Sequence, residues 1–119
     1  MGEFTRARTS WYSPPIATPV GTLSVTIEGN RQRPAPGSVA VARELIRNPK
    51  ERIQQALAFV HADTRAAEFA RGNGELVVDG FSVRLSGQFA VELSLSEWPD
   101  AMVTVLFENE EPCQVLLGD

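Results

Sequence analysis

The feature that most constrains the fold is the clear alternation of large apolar residues with small or polar residues in the last third of the chain. Apolar side chains occupy every second position of residues 89–95, namely Phe89, Val91, Leu93 and Leu95. A period of two is typical of a β-strand with one buried face. The apolar runs 76–78, 81–85, 102–107 and 115–117 predict further strands, with turns at Asp79-Gly80 and Ser86-Gly87. This third therefore predicts a meander of strands.

The middle of the chain predicts two helices. Apolar residues recur at helical spacing after Ser38, a suitable N-cap, and this helix should end at Asn48 because Pro49 follows. Asn48 then caps a second helix that begins at Pro49 and ends near Gly72. The two helices share almost no linker, so we expect a bent pair.

Strands and helices occupy separate stretches, which indicates an α+β fold. A strand is predicted at 22–28, after a short one that ends at Trp11-Tyr12. We predict an antiparallel sheet of about five to six strands with a central helix pair packed on one face. Residues 1–119 fit a single domain. Glu3-Phe4 is what a common restriction site encodes, so residues 1–4 are a candidate cloning scar.

Composition excludes several classes of site. The single cysteine, Cys113, allows no internal disulfide, and one cysteine with one histidine cannot form the usual four-ligand zinc site. No apolar run reaches the roughly 18 residues of a membrane span, and no basic stretch followed by an apolar segment opens the chain. We therefore expect a cytoplasmic protein with no metal, no cofactor and no membrane partner.

The net charge of −4 hides a division between two parts of the chain. Residues 1–74 contain ten basic and six acidic residues, giving +4. Residues 75–119 contain nine acidic residues and one basic residue, Arg84, giving −8. Such asymmetry bears on the choice of partner rather than on the fold.

No catalytic arrangement is visible in the sequence. His61 lies near the middle of the second predicted helix, where Asp63 at i+2 does not share its face. We interpret His61 as an ordinary surface histidine and Cys113 as a small buried residue, and predict no enzyme activity. The scattered arginines Arg6, Arg8, Arg31 and Arg33 lack interleaved aromatic residues, so no nucleic-acid partner is predicted.

Two acidic loops provide the candidate binding site. Glu97 and Asp100 flank Trp98, and a second group follows the next strand. Antiparallel pairing would place the groups at opposite ends of strand 101–107, as two separate acidic spots unless Glu92 connects them. Trp98 fits two interpretations: an exposed anchor that inserts into a partner, or a side chain buried in the core beneath the sheet. The predicted partner-binding residues are Glu97, Trp98, Asp100, Glu108, Glu110 and Glu111.

The layout resembles small bacterial α+β domains, some of which are encoded beside polymorphic toxin genes as immunity proteins. The resemblance covers nearly the whole chain. It lies in Trp11, the Pro-Val-Gly before strand 22–28, the helix pair, Val-Asp-Gly-Phe (78–81), Trp-Pro-Asp-Ala (98–101) and the final Leu-Gly-Asp. It implies a non-catalytic inhibitor that blocks a cognate toxin.

Two other functions stay open at this point. One is a small-molecule-binding domain or minor enzyme with a pocket between sheet and helices, into which His61 would point. The other is a structural module that self-associates through the edge of strand 113–117. A basic protein partner, with the chain itself a monomer or a homodimer, is the leading expectation.

Overall fold

The computed structural model describes residues 4–119, so the first three residues of the candidate scar lie outside it. Phe4 itself packs against the hydrophobic core. Within the described residues the helices are α1 (Pro36–Arg47), α2 (Pro49–Ala62) and α3 (Thr64–Ala70). The strands are β1 (Thr5–Ala7), β2 (Ser10–Tyr12), β3 (Ile16–Thr18), β4 (Gly21–Glu28), β5 (Leu76–Val83), β6 (Phe89–Leu95), β7 (Trp98–Glu108) and β8 (Glu111–Gly118).

The strands of residues 4–119 form one sheet in the order β1-β2-β4-β5-β6-β7-β8. Strand β3 lies outside this order and pairs with residues 21–23, at the start of β4. The α+β class is as predicted, but the sheet has eight strands rather than five or six. It is also not wholly antiparallel, because β4 and β5 pair in parallel, with Ser24 opposite Gly80 and Ile27 opposite Val83. The three helices form the crossover between these two strands, which is the connection that parallel neighbours need.

The core lies between the helices and one face of the sheet. Leu23, Val25 and Ile27 alternate along β4, and each is at most 1% exposed. Leu45 of α1 and Ile53 of α2 pack into the same cluster. Helix α1 contacts β4 and β5, while α2 contacts β6, β7 and β8. The helix layer therefore covers a single face of the sheet, as the alternation predicts.

The helices depart from the prediction at two places. Helix α1 begins earlier, with Ala35 at the N-cap, and Ser38 is instead a buried residue whose hydroxyl donates to the Arg84 carbonyl (2.7 Å). The second helix is broken at Asp63, whose carboxylate accepts from the Ala66 amide (2.9 Å) and caps α3. An aspartate side chain that accepts from a backbone amide three residues later competes with helix continuation. The predicted helix pair is therefore a set of three.

The predicted turn at Asp79-Gly80 is wrong. Residues 76–83 form one continuous strand, and β5 pairs with β6 along its length with a bulge between Val78 and Gly80. Gly80 has a φ of 153° and lies directly against the backbone of Ser24 in β4. An Asp-Gly pair signals a hairpin from local preference alone, whereas here the glycine serves the close approach of two strands.

The last strands are longer than predicted. Trp98 opens β7 instead of ending the preceding strand, and β8 begins at Glu111 after a tight turn in which Asn109 and Glu110 have positive φ. None of the described helices is both long and apolar enough to cross a membrane.

Candidate functional site

Among residues 4–119, no other element packs on the face of strands β5–β8 that lies opposite the helices. Because Val91, Leu93, Val103 and Val105 point into the core, the alternating residues point away from it. We call this surface the open sheet face. Its residues are Val77, Asp79, Ser82, Ala90, Glu92, Ser94, Met102, Thr104, Leu106, Glu108, Glu111, Gln114 and Leu116.

Large apolar side chains are exposed on the open sheet face. Met102 is 55% exposed, Leu116 is 42% exposed and Val77 is 40% exposed. Met102 and Leu116 lie on the neighbouring strands β7 and β8, and Val77 lies on β5, on the other side of β6. An apolar surface of this kind, interspersed with polar groups, is typical of a protein-binding site.

The charge on the same strands has one sign. Strands β5–β8 contain Asp79, Glu92, Asp100, Glu108 and Glu111, and they contain no lysine, arginine or histidine. The three helices on the other side contain five lysine and arginine residues and three glutamates. The division seen along the sequence thus becomes a division between the two sides of the sheet.

Glu92 occupies the centre of the open sheet face. Its neighbours across the strands are Gly80 on β5 and Thr104 on β7. The Ser82 hydroxyl donates to Glu92 Oε1 (2.8 Å), and the Thr104 hydroxyl donates to Glu92 Oε2 (2.7 Å). The carboxylate is half-buried and is held from two sides. A second pair lies nearby, where the Ser94 hydroxyl donates to Asp79 Oδ1 (3.2 Å).

The predicted acidic residues fall into two groups at opposite ends of β7. Asp100 is exposed at its start and Glu108 at its end, on the order of 25 Å apart at the usual rise per residue. Glu97 lies in the turn before β7, and Glu111 opens β8. Of the six predicted residues, Glu108 and its cross-strand partner Glu111 belong to the open sheet face. Glu92 lies between the two groups, as the sequence pattern allowed.

Trp98 is half-buried on the helix side of the sheet. Its ring packs against Phe69 of α3, with ring centroids 4.8 Å apart and an angle of 31° between the planes. It pairs across the strands with Leu95, which is 1% exposed. The core interpretation of Trp98 therefore describes its position better than the surface-anchor interpretation.

Glu110 is tied to the helix layer. The Arg52 guanidinium of α2 donates to the Glu110 carbonyl (2.9 Å) and lies 3.8 Å from its carboxylate. The same guanidinium lies over the Phe89 ring, 5.9 Å from the centroid. Arg52 thus fastens the β7–β8 turn to α2, and its positive charge offsets the carboxylate that the sequence offered to a partner.

The structure separates His61 from the larger of two surface hollows. A groove of about 950 Å³ lies at the junction of α1 and α2, above Phe89, with Arg47, Lys50 and Glu51 at its margin. His61 is exposed and lines a second hollow between α2, α3 and the start of β5. The larger groove therefore does not contain His61, whereas the second hollow, of about 660 Å³, lies between helices and sheet, where the small-molecule hypothesis places its pocket.

Cys113 is exposed, so the expectation of a buried cysteine is wrong. It is the extra residue of a bulge in β8, since Phe107 pairs with Pro112 and Leu106 with Gln114. A bulged residue leaves the regular alternation of its strand, which is why the pattern misplaced it. Within residues 4–119 no three histidine, cysteine or acidic side chains converge closely enough to hold a metal ion.

No family model, curated protein or solved structure matches the chain.

Sequence reasoning missed the apolar and central members of the open sheet face. Met102, Leu116 and Glu92 all lie in predicted strands, at the positions that alternate with the core residues. The signal that could have found them is the alternation itself, because Met102 and Leu116 are apolar residues at positions that point away from the core. The predicted site consisted of Trp98 and acidic residues near the strand ends, so it did not include these apolar positions.

Proposed function

We propose that this chain is a non-catalytic protein-binding module that docks a basic protein on the open sheet face. In its most specific form the module is an immunity-type inhibitor that occludes a toxin. The observation that carries the proposal is that the open sheet face combines exposed apolar side chains with carboxylates, while strands β5–β8 contain no basic residue.

The charge on the face favours a cationic occupant. Strands β5–β8 carry five carboxylates and no basic group, so an approaching acidic or neutral surface gains nothing from them. A second copy that presented the same face would meet its own negative charges. A basic protein is attracted over a distance of about 8 Å at physiological salt, and this attraction speeds its association.

The apolar side chains supply the contact area. Met102 and Leu116 are close to half exposed, and burial of such side chains against a partner is favourable by about 25 cal/mol for each Å² removed from water. Asp100 and Glu108, at the two ends of β7, border this apolar centre. An apolar centre with a polar margin is the usual anatomy of a protein interface.

The first test compares two variants with the same change in net charge. In the sheet variant Asp100, Glu108 and Glu111 become lysine. In the helix variant Glu44, Glu51 and Glu68 become lysine. Each set is exposed, so both variants should keep the thermal stability of the parent chain within a few degrees.

The partner is first captured with the parent chain from a lysate of the source cells, identified, purified and used in association kinetics with all three proteins. We expect the sheet variant to associate at least about tenfold more slowly at low salt and to lose most of its salt dependence. The helix variant should associate within about threefold of the parent, since general charge alone has a modest effect. Equal losses for both variants would contradict a docking site on the open sheet face.

The inhibitor form has its own test. The captured protein is expressed alone and together with the chain, and cell growth is followed. We expect growth arrest by the partner alone and recovery with the parent chain but weaker recovery with the sheet variant. If the captured partner does not impair growth, the inhibitor form of the proposal is contradicted and only the protein-binding module stands.

A further inference from the structure

The carboxylate of Glu92 differs from the other acids of the open sheet face because both of its oxygens are held, whereas Asp79 accepts a single hydroxyl bond, from Ser94. Each of its oxygens accepts a hydrogen bond from a hydroxyl on a neighbouring strand, Ser82 on one side and Thr104 on the other. The other acids proposed to border the face, Asp100 and Glu108, are exposed. Fixing a side chain before a partner arrives removes part of the entropy cost of binding it.

The bonds that hold Glu92 leave it able to accept more. An ionised carboxylate offers about four acceptor positions, and the two hydroxyls occupy two of them. A hydroxyl carries no charge, so the negative charge of Glu92 is not neutralised by its neighbours. No basic side chain comes from strands β5–β8 to pair with it.

The surface beside Glu92 is open because Gly80 lies directly across the strands from it. A Cβ built on Gly80 would collide with the carbonyl oxygen of Ser24 and lie 2.7 Å from its carbonyl carbon. The backbone arrangement therefore excludes a side chain at this position. Beyond Thr104 in the same cross-strand row lies Leu116, which is 42% exposed. The carboxylate thus has bare backbone on one side and an aliphatic surface nearby on the other.

We propose, resting on the proposed function, that Glu92 is the anchor for one arginine side chain of the basic partner. A planar guanidinium can donate two parallel hydrogen bonds, one to each oxygen of a carboxylate, a fork geometry that a lysine ammonium does not match. The aliphatic part of the arginine would pack on Leu116 and Met102, the exposed apolar residues of β8 and β7. Ser82 and Thr104 are positioning residues in this arrangement, since they act through the carboxylate.

The experiment that tests the anchor needs no partner. The side-chain carboxyl carbons are followed by NMR while ethylguanidinium chloride is added at constant ionic strength, and the titration is repeated with ethylammonium chloride. We expect the Glu92 carboxyl to respond at lower concentration than those of Asp100 and Glu108, and more strongly to the guanidinium. Glu92→Gln should abolish the accompanying shifts of the Ser82 and Thr104 amides. A parallel response of all carboxyl groups would overturn the proposal.

A second measurement separates this proposal from the proposed function. With the captured partner, Glu92→Gln should weaken binding at least about thirtyfold, whereas Glu108→Gln should weaken it at most about threefold. Glu68→Gln, a matched loss of one charge on α3, should leave binding unchanged. If the partner binds the sheet variant weakly but binds Glu92→Gln with the affinity of the parent, the anchor is overturned and the docking face stands. A partner that is indifferent to the sheet variant would overturn the docking face itself.

The hydroxyls give an internal check on positioning. The double variant Ser82→Ala, Thr104→Val keeps the carboxylate and removes both hydrogen bonds to it. We expect weaker ethylguanidinium binding at Glu92 in a chain that keeps the circular dichroism spectrum of the parent, with a thermal midpoint lower by several degrees because two hydrogen bonds are lost. Unchanged ethylguanidinium binding would show that the hydroxyls do not position the carboxylate.

Discussion

Replacement of Gly80 by alanine tests the close contact on which the centre of the sheet depends. Gly80 is the first residue of the parallel pairing between β5 and β4, where it lies opposite Ser24. Its φ of 153° is a value that residues with a side chain rarely adopt. A Cβ there would meet the Ser24 carbonyl oxygen and lie 2.7 Å from its carbonyl carbon and 2.8 Å from its nitrogen. All three are backbone atoms, so no side chain can move aside.

The cost of Gly80→Ala has two parts. Holding alanine at this φ costs about 1–3 kcal/mol. Separating the strands at Ser24 removes part of the β4–β5 ladder, at about 1 kcal/mol for each lost hydrogen bond. We therefore expect a loss of about 3–5 kcal/mol from a total of about 5–15 kcal/mol that is usual for a domain. The midpoint of thermal unfolding should fall by roughly 10–20 °C.

The assay is urea and thermal unfolding followed by circular dichroism, with Gly37→Ala as the matched control. Gly37 lies in α1, and a Cβ there meets nothing within 4 Å. Alanine is favoured over glycine inside a helix, so this control should be stabilised by up to about 1 kcal/mol. A loss of less than about 1 kcal/mol for Gly80→Ala would refute the argument, because the contact would then be relieved at little cost.

Three further predictions concern single contacts. Arg52→Ala should destabilise the chain by about 1–2 kcal/mol in urea unfolding, because it removes the bond to the Glu110 carbonyl and the packing on Phe89. Glu110→Ala removes only a largely exposed carboxylate and should cost less than about 0.5 kcal/mol, so equal costs for the two variants would contradict this prediction. Asp63→Ala should lower the free energy of unfolding by about 1 kcal/mol and speed amide hydrogen exchange at Ala66. Asn48→Ala removes a side chain that makes no cap bond, so it should lower the free energy of unfolding by less. Cys113 should react fully with a thiol reagent in the folded state, and Cys113→Ser should change stability by less than about 0.5 kcal/mol; slow labelling that requires unfolding would contradict its exposure.

The strands of the last third could be predicted because their pattern is local. Residues 89–95 alternate without interruption, and the structure has β6 over that range. The same holds for the break between α1 and α2, since Pro49 prevents the preceding residue from continuing a helix. The turn assigned to Asp79-Gly80 failed because the role of Gly80 is set by Ser24, a residue 56 positions earlier in the chain. No pattern within β5 contains that information.

The candidate site was predicted only in outline. The concentration of acid after residue 75 is visible in the sequence, and it corresponds to strands that share one sheet. Which acids share a face was not visible. Glu110 is paired with Arg52, and Trp98 packs on Phe69; both contacts join segments far apart in sequence. In the sequence Glu92 is one polar residue of an alternating strand, and nothing local distinguishes it from its neighbours.

Taken alone, the sequence determined the α+β class, the alternation of the strands and the unequal distribution of charge, because each depends on residue type and on spacing within one segment. The tertiary structure decided that β4 and β5 pair in parallel, that the helices cover one face, and that Glu92, Met102 and Leu116 meet on the other. These outcomes depend on which strands become neighbours. Long-range packing and backbone pairing decide which strands become neighbours. The free energy of these contacts depends on two distant segments together, so neither segment predicts it alone.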